Sequence, residues 1–527
     1  MAQDSSFSSM IGITRSVVPS IRVLNNFLSN FFGYIPKTEF EKYICKFEQF
    51  EFSDEIQCKE TSEEYKQLKK SFSEWIKTYC VYEYDTVNSR DSVKNVNQWF
   101  PLIKGLIFED KRATTHLNDI LIYMLYYKYE GDISELYENH CAKLEAFLYS
   151  DLNSTGYNGF IQDTIKSIFK GLYHEDISFN EIRIKRIQSL KNDLSNMNIS
   201  YLGKVTSLCI RFRQDFEAIL ENKWLLSHSI YTRIYYLQLM LNFYITLYTI
   251  RRTNNSRTPP YVLCKGNPSL DSDGFNAACV QLYGSIREGV REKAELYIKK
   301  ILKEYLQNKE GVPTKETSLF LRFDENTNTV VCSLNNEDVL FKEMIQDFPH
   351  IGRKNVDEFI KDLKILSNLS FNYKRVNYND MARVISKSLL KRSAFIDSVT
   401  QIFSTHGRQS SFVFPTGPSR YKFFSLSSDL CNLLLRLYMQ EKNKKVDTVE
   451  NFIHYLNKNY RISLMQSEGV KNFIESRNIK FPSNDEFIQN FNSFIETLSE
   501  INAVKKYSDT SYFITLPGES GRGEFIQ

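Results

Sequence analysis

The sequence predicts a mainly α-helical, multi-domain protein with a small α/β middle domain and a C-terminal winged helix. Three observations carry that expectation. Gly (20) and Pro (12) are sparse among 527 residues, so long stretches run without a breaker. Apolar residues recur at helical spacing through most of those stretches. Strand-like alternation is confined to a hairpin pattern in the middle and two short extended runs near the C-terminus. The chain is too long for one ordinary core, and its 42% hydrophobic and 14% aromatic content suffices for several.

Residues 1–252 read as helix after helix. Ile21, Leu24, Leu28, Phe31 and Phe32 trace one face before Gly33 and Pro36 stop the run. Thr38 and Glu41 have capping-box spacing for a restart. In 117–129, Ile120, Leu121, Met124, Leu125 and Tyr126 point inward together. The basic run Arg183–Asn192 is most simply a solvated helical face, with a phosphate-contacting stripe as the sharper alternative. Ile234–Ile250 is uncharged between Arg233 and Arg251. It is short for a membrane span and carries Gln238, Asn242, Thr246 and Thr249, so it predicts a helix buried inside a bundle.

The composition changes at Arg251–Ser269, which holds Pro259, Pro260 and Pro268 around the short apolar run Tyr261–Cys264. A middle domain is placed at 253–410. It would contain that strand, a helix following Asp271 and Ser272, and a hairpin from Ser318–Phe323 and Thr329–Leu334. Helices are expected over Val356–Tyr373 and Met381–Phe395. His406–Ser419 is rich in Gly, Pro and Ser and reads as a second linker. Residues 421–517 then give helices at Ser425–Met439, Asp447–Tyr460 and Asn484–Ile501, ending in the extended runs Val504–Tyr507 and Tyr512–Leu516. Helices followed by a small terminal hairpin are the layout of a winged helix. The polar tail 518–527 is expected to be disordered.

Charge and motifs exclude more than they suggest. With 67 basic and 63 acidic side chains the net charge is +4, which gives no whole-protein field for nucleic acid. Nine scattered Cys without a CxxC fit free thiols in a reducing compartment, and Met1–Ser9 has no signal-peptide pattern, so a cytoplasmic location is expected. No P-loop, HExxH, GxSxG or kinase motif occurs. Asp271–Gly274 does not keep calcium-loop offsets, and a helix cap is its simpler reading. Asp324 and Glu325 could suggest a Mg²⁺ nuclease, but they lack a partner set of acids and a lysine. Cys264 lacks a placeable His. No catalytic residue, metal or cofactor is predicted.

The candidate nucleic-acid contacts are Arg383, Lys387, Lys391 and Arg392 on one predicted helix, together with Lys505 and Lys506 at the terminal hairpin. Against DNA reading, Asn484–Ile501 carries Asp485, Glu486, Glu496 and Glu500 and no Lys or Arg, so phosphates would be repelled.

Tyr421–Phe424 leading into Ser425–Leu437, the strand Tyr261–Cys264, and the ending Lys505–Tyr512 together resemble accessory, non-ATPase subunits of bacterial anti-phage operons. Among these the sequence resembles the DptG-like component of phosphorothioation-dependent restriction. The likeness covers about the last fifth of the chain plus the central strand, and it matches no catalytic residue. It implies a partner of a DNA-translocating ATPase or helicase in antiviral defence. The expectation is therefore an assembly or adaptor subunit that binds partner proteins through helical surfaces and a winged helix, without a membrane role. The alternative is direct DNA binding through the basic helical patch and the wing.

Overall fold

The computed structural model describes residues 20–32, 35–36, 107–109, 117–149, 176–195, 202–203, 205–253, 261–262, 277–289, 320–324, 329–333, 375–377, 404–415, 421–464, 468–476, 478–479, 482–506 and 511–517, with isolated positions at 63, 66–67, 292–293 and 296. The fold is mainly helical with a few small sheets. The expected helices over 356–373 and 381–395, the Thr38–Glu41 capping box, the Asp271–Gly274 cap and the tail 518–527 lie outside the described residues.

The first core is aromatic. α1 (Ser20–Phe32), α2 (Leu117–Tyr126), α3 (Ile133–Tyr149) and α5 (Thr206–Leu220) turn their apolar faces together, and α4 (Asp176–Ser195) packs alongside. Phe31 stacks on Tyr137 at 5.6 Å, and Phe27 meets Phe216 edge-on at 5.6 Å. His140 sits among these rings with both nitrogens occupied. Its Nδ1 accepts from the Tyr126 hydroxyl at 3.0 Å, and its Nε2–H donates to Glu217 at 3.3 Å. Ile120, Leu121, Met124, Leu125 and Tyr126 are all buried, as their spacing predicts. Along α4, Leu190 faces in while Lys185, Gln188 and Lys191 face out, so two lysines of the basic run are exposed.

After the single turn α6 (Lys223–Leu226) comes α7 (Ile230–Thr253), which passes through the middle of the packing. Its polar residues Gln238, Asn242, Thr246 and Thr249 are buried. Asn242 donates to the carbonyl of Gln238, and Thr246 and Thr249 donate to the carbonyls four residues earlier, so little is left unsatisfied in the helix interior. Among the described residues no helix is long and apolar enough to cross a membrane. Arg233, fully buried, donates to the carbonyls of His228, Leu226 and Phe147, placing a cation at the C-terminal end of α3, where the helix dipole favours it.

The stretch expected to be a linker is packed structure over its described part. Residues 404–409 are helical, and β7 (Val413–Phe414) pairs antiparallel with β8 (Phe423–Phe424). His406 is fully buried and shares a hydrogen bond of 2.6 Å with the Asn242 side-chain oxygen. A Cβ on Gly407 would run into Val413 and press on Thr246, so Gly serves here for close approach to α7 and not for flexibility. Phe412 meets Phe243 at 5.3 Å and Phe424 at 5.1 Å, and the helical segment 277–289 adds Tyr283 against Phe424. Gly and Ser are common in linkers and in tight packing alike, and the sequence does not separate the two.

The sheets are small. β1 (Ile35–Pro36) pairs in parallel with β2 (Phe108–Glu109). The expected middle hairpin is present as β4 (Phe320–Asp324) and β5 (Thr329–Ser333), and β6 (Arg375–Asn377) adds a third antiparallel strand. β3 (Tyr261–Val262) pairs in parallel with β10 (Ile462–Ser463), joining the chain after α7 to the C-terminal region.

That region is also joined through side chains. α8 (Ser428–Lys442) and α9 (Val449–Tyr460) lie against α5 and α7. Buried Asp215 accepts from Arg211 on one oxygen, and from Tyr244 at 2.5 Å and Tyr460 at 2.6 Å on the other. Arg211 also donates to Tyr455 and to Glu441 at 2.5 Å, with its guanidinium 5.0 Å from the Tyr455 ring centre. Around this cluster Gln440 exchanges hydrogen bonds with Asn222 and Ala218, Asn432 donates to Tyr236, and Arg436 lies 3.8 Å over the Trp224 ring.

These contacts set two expectations for stability. Asp215→Ala removes the buried counter-charge of Arg211 and leaves only half-exposed Glu441 to answer it, and breaking such a buried pair costs about 3–5 kcal/mol. Urea denaturation of the full chain measures this, and a loss below about 1 kcal/mol would mean the pair behaves like an exposed one. For His406, burial pushes the pKa down to about 4. Unfolded, the ring takes up a proton near its ordinary value of about 6.5, so its contribution is complete above that pH and falls as the pH drops toward 4. His406→Gln is expected to flatten the pH dependence of the unfolding midpoint in that window.

Candidate interaction surface

The C-terminal unit starts from a cap. Ser427 accepts from the Leu430 N–H to open α8, and Asn443, at φ 50°, closes it. β9 (Val446–Thr448) follows at once. The expected helix over Asp447–Tyr460 therefore begins two residues later, because Thr448 caps α9 by accepting from the Asn451 N–H. Asp447 fixes this junction. It accepts from the Tyr438 hydroxyl at 2.5 Å, Lys444 at 2.9 Å, the Thr448 N–H at 2.9 Å and Asn451 at 2.8 Å. Burial alone would raise its pKa, but the hydrogen bonds from Tyr438, Asn451, Lys444 and Thr448 outweigh it and hold the carboxyl well below the usual range.

After α10 (Glu468–Ser476), a Ser483–Glu486 capping box starts α11 (Asn484–Glu500). β11 (Val504–Lys506) then turns into β12 (Tyr512–Thr515), and β12 pairs with β9 on its other side, giving a sheet of order β11-β12-β9. The chain order is thus helix, strand, helix, the short strand β10, two helices, and hairpin, with β9 beside β12.

α11 is sharply two-sided. Phe487, Asn490, Phe494, Ile495 and Leu498 are buried; Phe494 stacks on Phe452 at 6.3 Å, and Phe491 meets Tyr512 at 6.2 Å. Asp485, Ile488, Gln489, Asn492 and Glu496 face outward, with Ile488 57% exposed. At its C-terminal end Glu500 accepts from Ser428, the first residue of α8. The neighbouring Asp429 accepts from Tyr235 of α7 at 2.7 Å. Tyr231, one turn earlier, and Tyr235 are 41% and 42% exposed. The C-terminal end of α11, the start of α8 and the N-terminal part of α7 are thus joined at the surface.

Of the sequence-predicted contacts, Lys505 and Lys506 lie on β11, opposite Phe513 and Tyr512; Lys505 is half-buried and Lys506 exposed. Arg383, Lys387, Lys391 and Arg392 lie outside the described residues, as do Glu325 and Cys264. Asp324 ends β4 opposite Thr329. Sequence reasoning passed over the exposed turn 441–446, where Lys442, Lys444 and Lys445 cluster; the run Lys-Asn-Lys-Lys is its visible signal. It also passed over Tyr231, Tyr235 and Ile488, because each sits in an apolar pattern that reads as core.

Two buried clusters have the residue types of catalytic sites. In the Tyr126–His140–Glu217 relay the hydroxyl and the ring are fully buried among aromatics. At Asp215 both oxygens are occupied, and burial raises its pKa against the pull of Arg211, Tyr244 and Tyr460. Both arrangements hold helices together. The Cys209 thiol, also buried, is pushed up to about 12 and is kept as an unreactive thiol. Among the described residues no three of His, Cys, Asp and Glu gather where they could hold a metal ion.

No family model, curated protein or solved structure matches the chain.

Asp447 yields a test of how β9 is held. Its folded pKa is depressed, so its contribution is complete above the ordinary Asp value of about 3.9 and is lost as pH falls below it. Asp447→Asn is expected to lower stability near neutral pH and to narrow the gap to wild type under acid. A gap that stays constant from neutral pH into acid would assign the loss to packing.

Proposed function

We propose that this chain is a non-catalytic assembly or adaptor subunit that binds partner proteins through helical surfaces and a C-terminal winged helix. The observation that carries the proposal is the outward face of α11. The order α8, β9, α9, α11, β11, β12, interrupted by β10 and α10 and with β9 beside β12, supports the winged-helix reading, in which α11 takes the recognition-helix position. A DNA-reading helix there would line its outer face with cations. α11 instead presents Asp485, Gln489, Asn492 and Glu496 around exposed Ile488. Such a mixture of apolar and acidic groups repels phosphate and suits a protein surface.

Placement in a bacterial anti-phage defence or DNA-processing complex, beside an ATPase or helicase, rests on the resemblance to DptG-like subunits alone. Exposed Lys506 on the terminal hairpin favours a second reading, direct DNA contact through the wing.

Affinity purification of the tagged chain from its native host, with and without nuclease, separates the two. The adaptor reading expects an ATPase or helicase in fixed stoichiometry after nuclease treatment. Recovery alone, or only with nucleic acid that nuclease removes, would overturn it. The wing reading expects DNA affinity that falls steeply with salt, with a slope reduced by about 2 in Lys505→Ala/Lys506→Ala.

A further inference from the structure

We infer that the surface formed by Asp485, Ile488 and Glu496 on α11, Asp429 at the start of α8, and Tyr231 and Tyr235 on α7 is the docking site for a basic amphipathic helix of a partner protein. This rests on the protein-binding reading and names the chemistry of the partner. Two hydrogen bonds, Ser428 to Glu500 at 3.0 Å and Tyr235 to Asp429 at 2.7 Å, join the C-terminal end of α11 to the start of α8 and the start of α8 to α7. From Asp485 to Glu500 the helix rises about 22 Å, the length of roughly four turns of a partner helix.

The occupant follows from charge and exposure together. α11 has no Lys or Arg, and Asp485, Glu496 and Glu500 on it are exposed, so the complement is cationic. Among the carboxylates stand a more than half-exposed isoleucine and two tyrosines, one turn apart on α7. Tyrosines and buried aliphatics are the residues that anchor protein partners, while carboxylates at their rim set orientation. A nucleic acid would meet repulsion here, whereas a helix with Leu-like residues on one face and Lys or Arg flanking them would meet both features. The far side of the same unit is taken, since α8 and α9 spend their inner faces on the Arg211–Asp215 cluster.

The test uses the full chain and fluorescence anisotropy with two synthetic helices of about 18 residues, long enough to span those four turns, with identical Leu pattern, one carrying Lys and the other Glu at the flanking positions. Binding of the Lys peptide is expected, with little for the Glu peptide. Ile488→Asp adds a negative charge, so attraction by charge alone would strengthen binding. Docking on the apolar anchor predicts instead a loss of about tenfold or more, the size of a lost anchor contact. Glu496→Lys is expected to weaken binding as well, and Ile184→Asp, an exposed isoleucine on α4, to leave it unchanged. Unchanged circular dichroism and melting of Ile488→Asp exclude unfolding as the cause.

The inference is overturned if Ile488→Asp binds the Lys peptide as well as or better than wild type, or if both peptides bind alike. It is also overturned if the chain forms a dimer that Ile488→Asp dissolves, since a second copy would then cover the face. A native partner that co-purifies equally with wild type and Ile488→Asp would leave the adaptor reading standing and reject this surface.

Discussion

A carboxylate taken out of water must have its charge answered on the spot, and Asp215 meets that constraint with groups from three helices. Arg211 stands one turn before it on α5, Tyr244 comes from α7, and Tyr460 from the end of α9; Arg211 then reaches Tyr455 on α9 and Glu441 at the end of α8. A buried ion pair is weak evidence for added stability, but it is demanding about geometry. Any displacement of α8–α9 from α5–α7 strands a charge in an aromatic interior. The two stretches, 245 residues apart at Asp215 and Tyr460, are therefore held in one register, and aromatic packing of Phe243 on Phe412 and Tyr460 closes beside it.

This register decides what the C-terminal unit can offer to other molecules. The inner sides of α8 and α9 are committed to the bundle, and Asp447 commits β9 to its place between α8 and α9. β9 then supplies the edge on which β12 pairs, and the hairpin covers one side of α11 through Tyr512. The outer face of α11 is left exposed. What that face can offer thus depends on the Arg211–Asp215 cluster, because the cluster determines which surfaces are used up inside the molecule.

Much of the α7 story is one of compensation. Its sequence is apolar enough to suggest a membrane, yet the polar side chains recur on turns where they can bond the preceding turn's carbonyls. Asn242 does double duty by accepting from His406, and Gly407 lets that segment approach closely enough for the bond to form. Residues 236–250, uncharged and with Asn242, Thr246 and Thr249 bonded to the preceding turn, can therefore be buried throughout.

Local periodicity was enough to determine the helical character of the chain, the buried faces of α2 and α8, the middle hairpin and the terminal one, because each is set by residues within a few turns of one another. It also made the acidity of α11 visible, and with it the case against DNA reading. The tertiary structure alone decided that β9 joins the terminal hairpin, that β3 pairs with β10, and that residues 404–415 pack as core. Strands of two or three residues carry no period, and a Gly or Ser looks the same in a linker as in a close contact. It alone also brought Arg211 to Glu441, Asp215 to Tyr460, and Tyr235 of α7 to Asp429 at the start of α8. A sequence specifies which side chains are apolar or charged, but the partner that each one meets across the fold is chosen by packing between segments far apart in the chain.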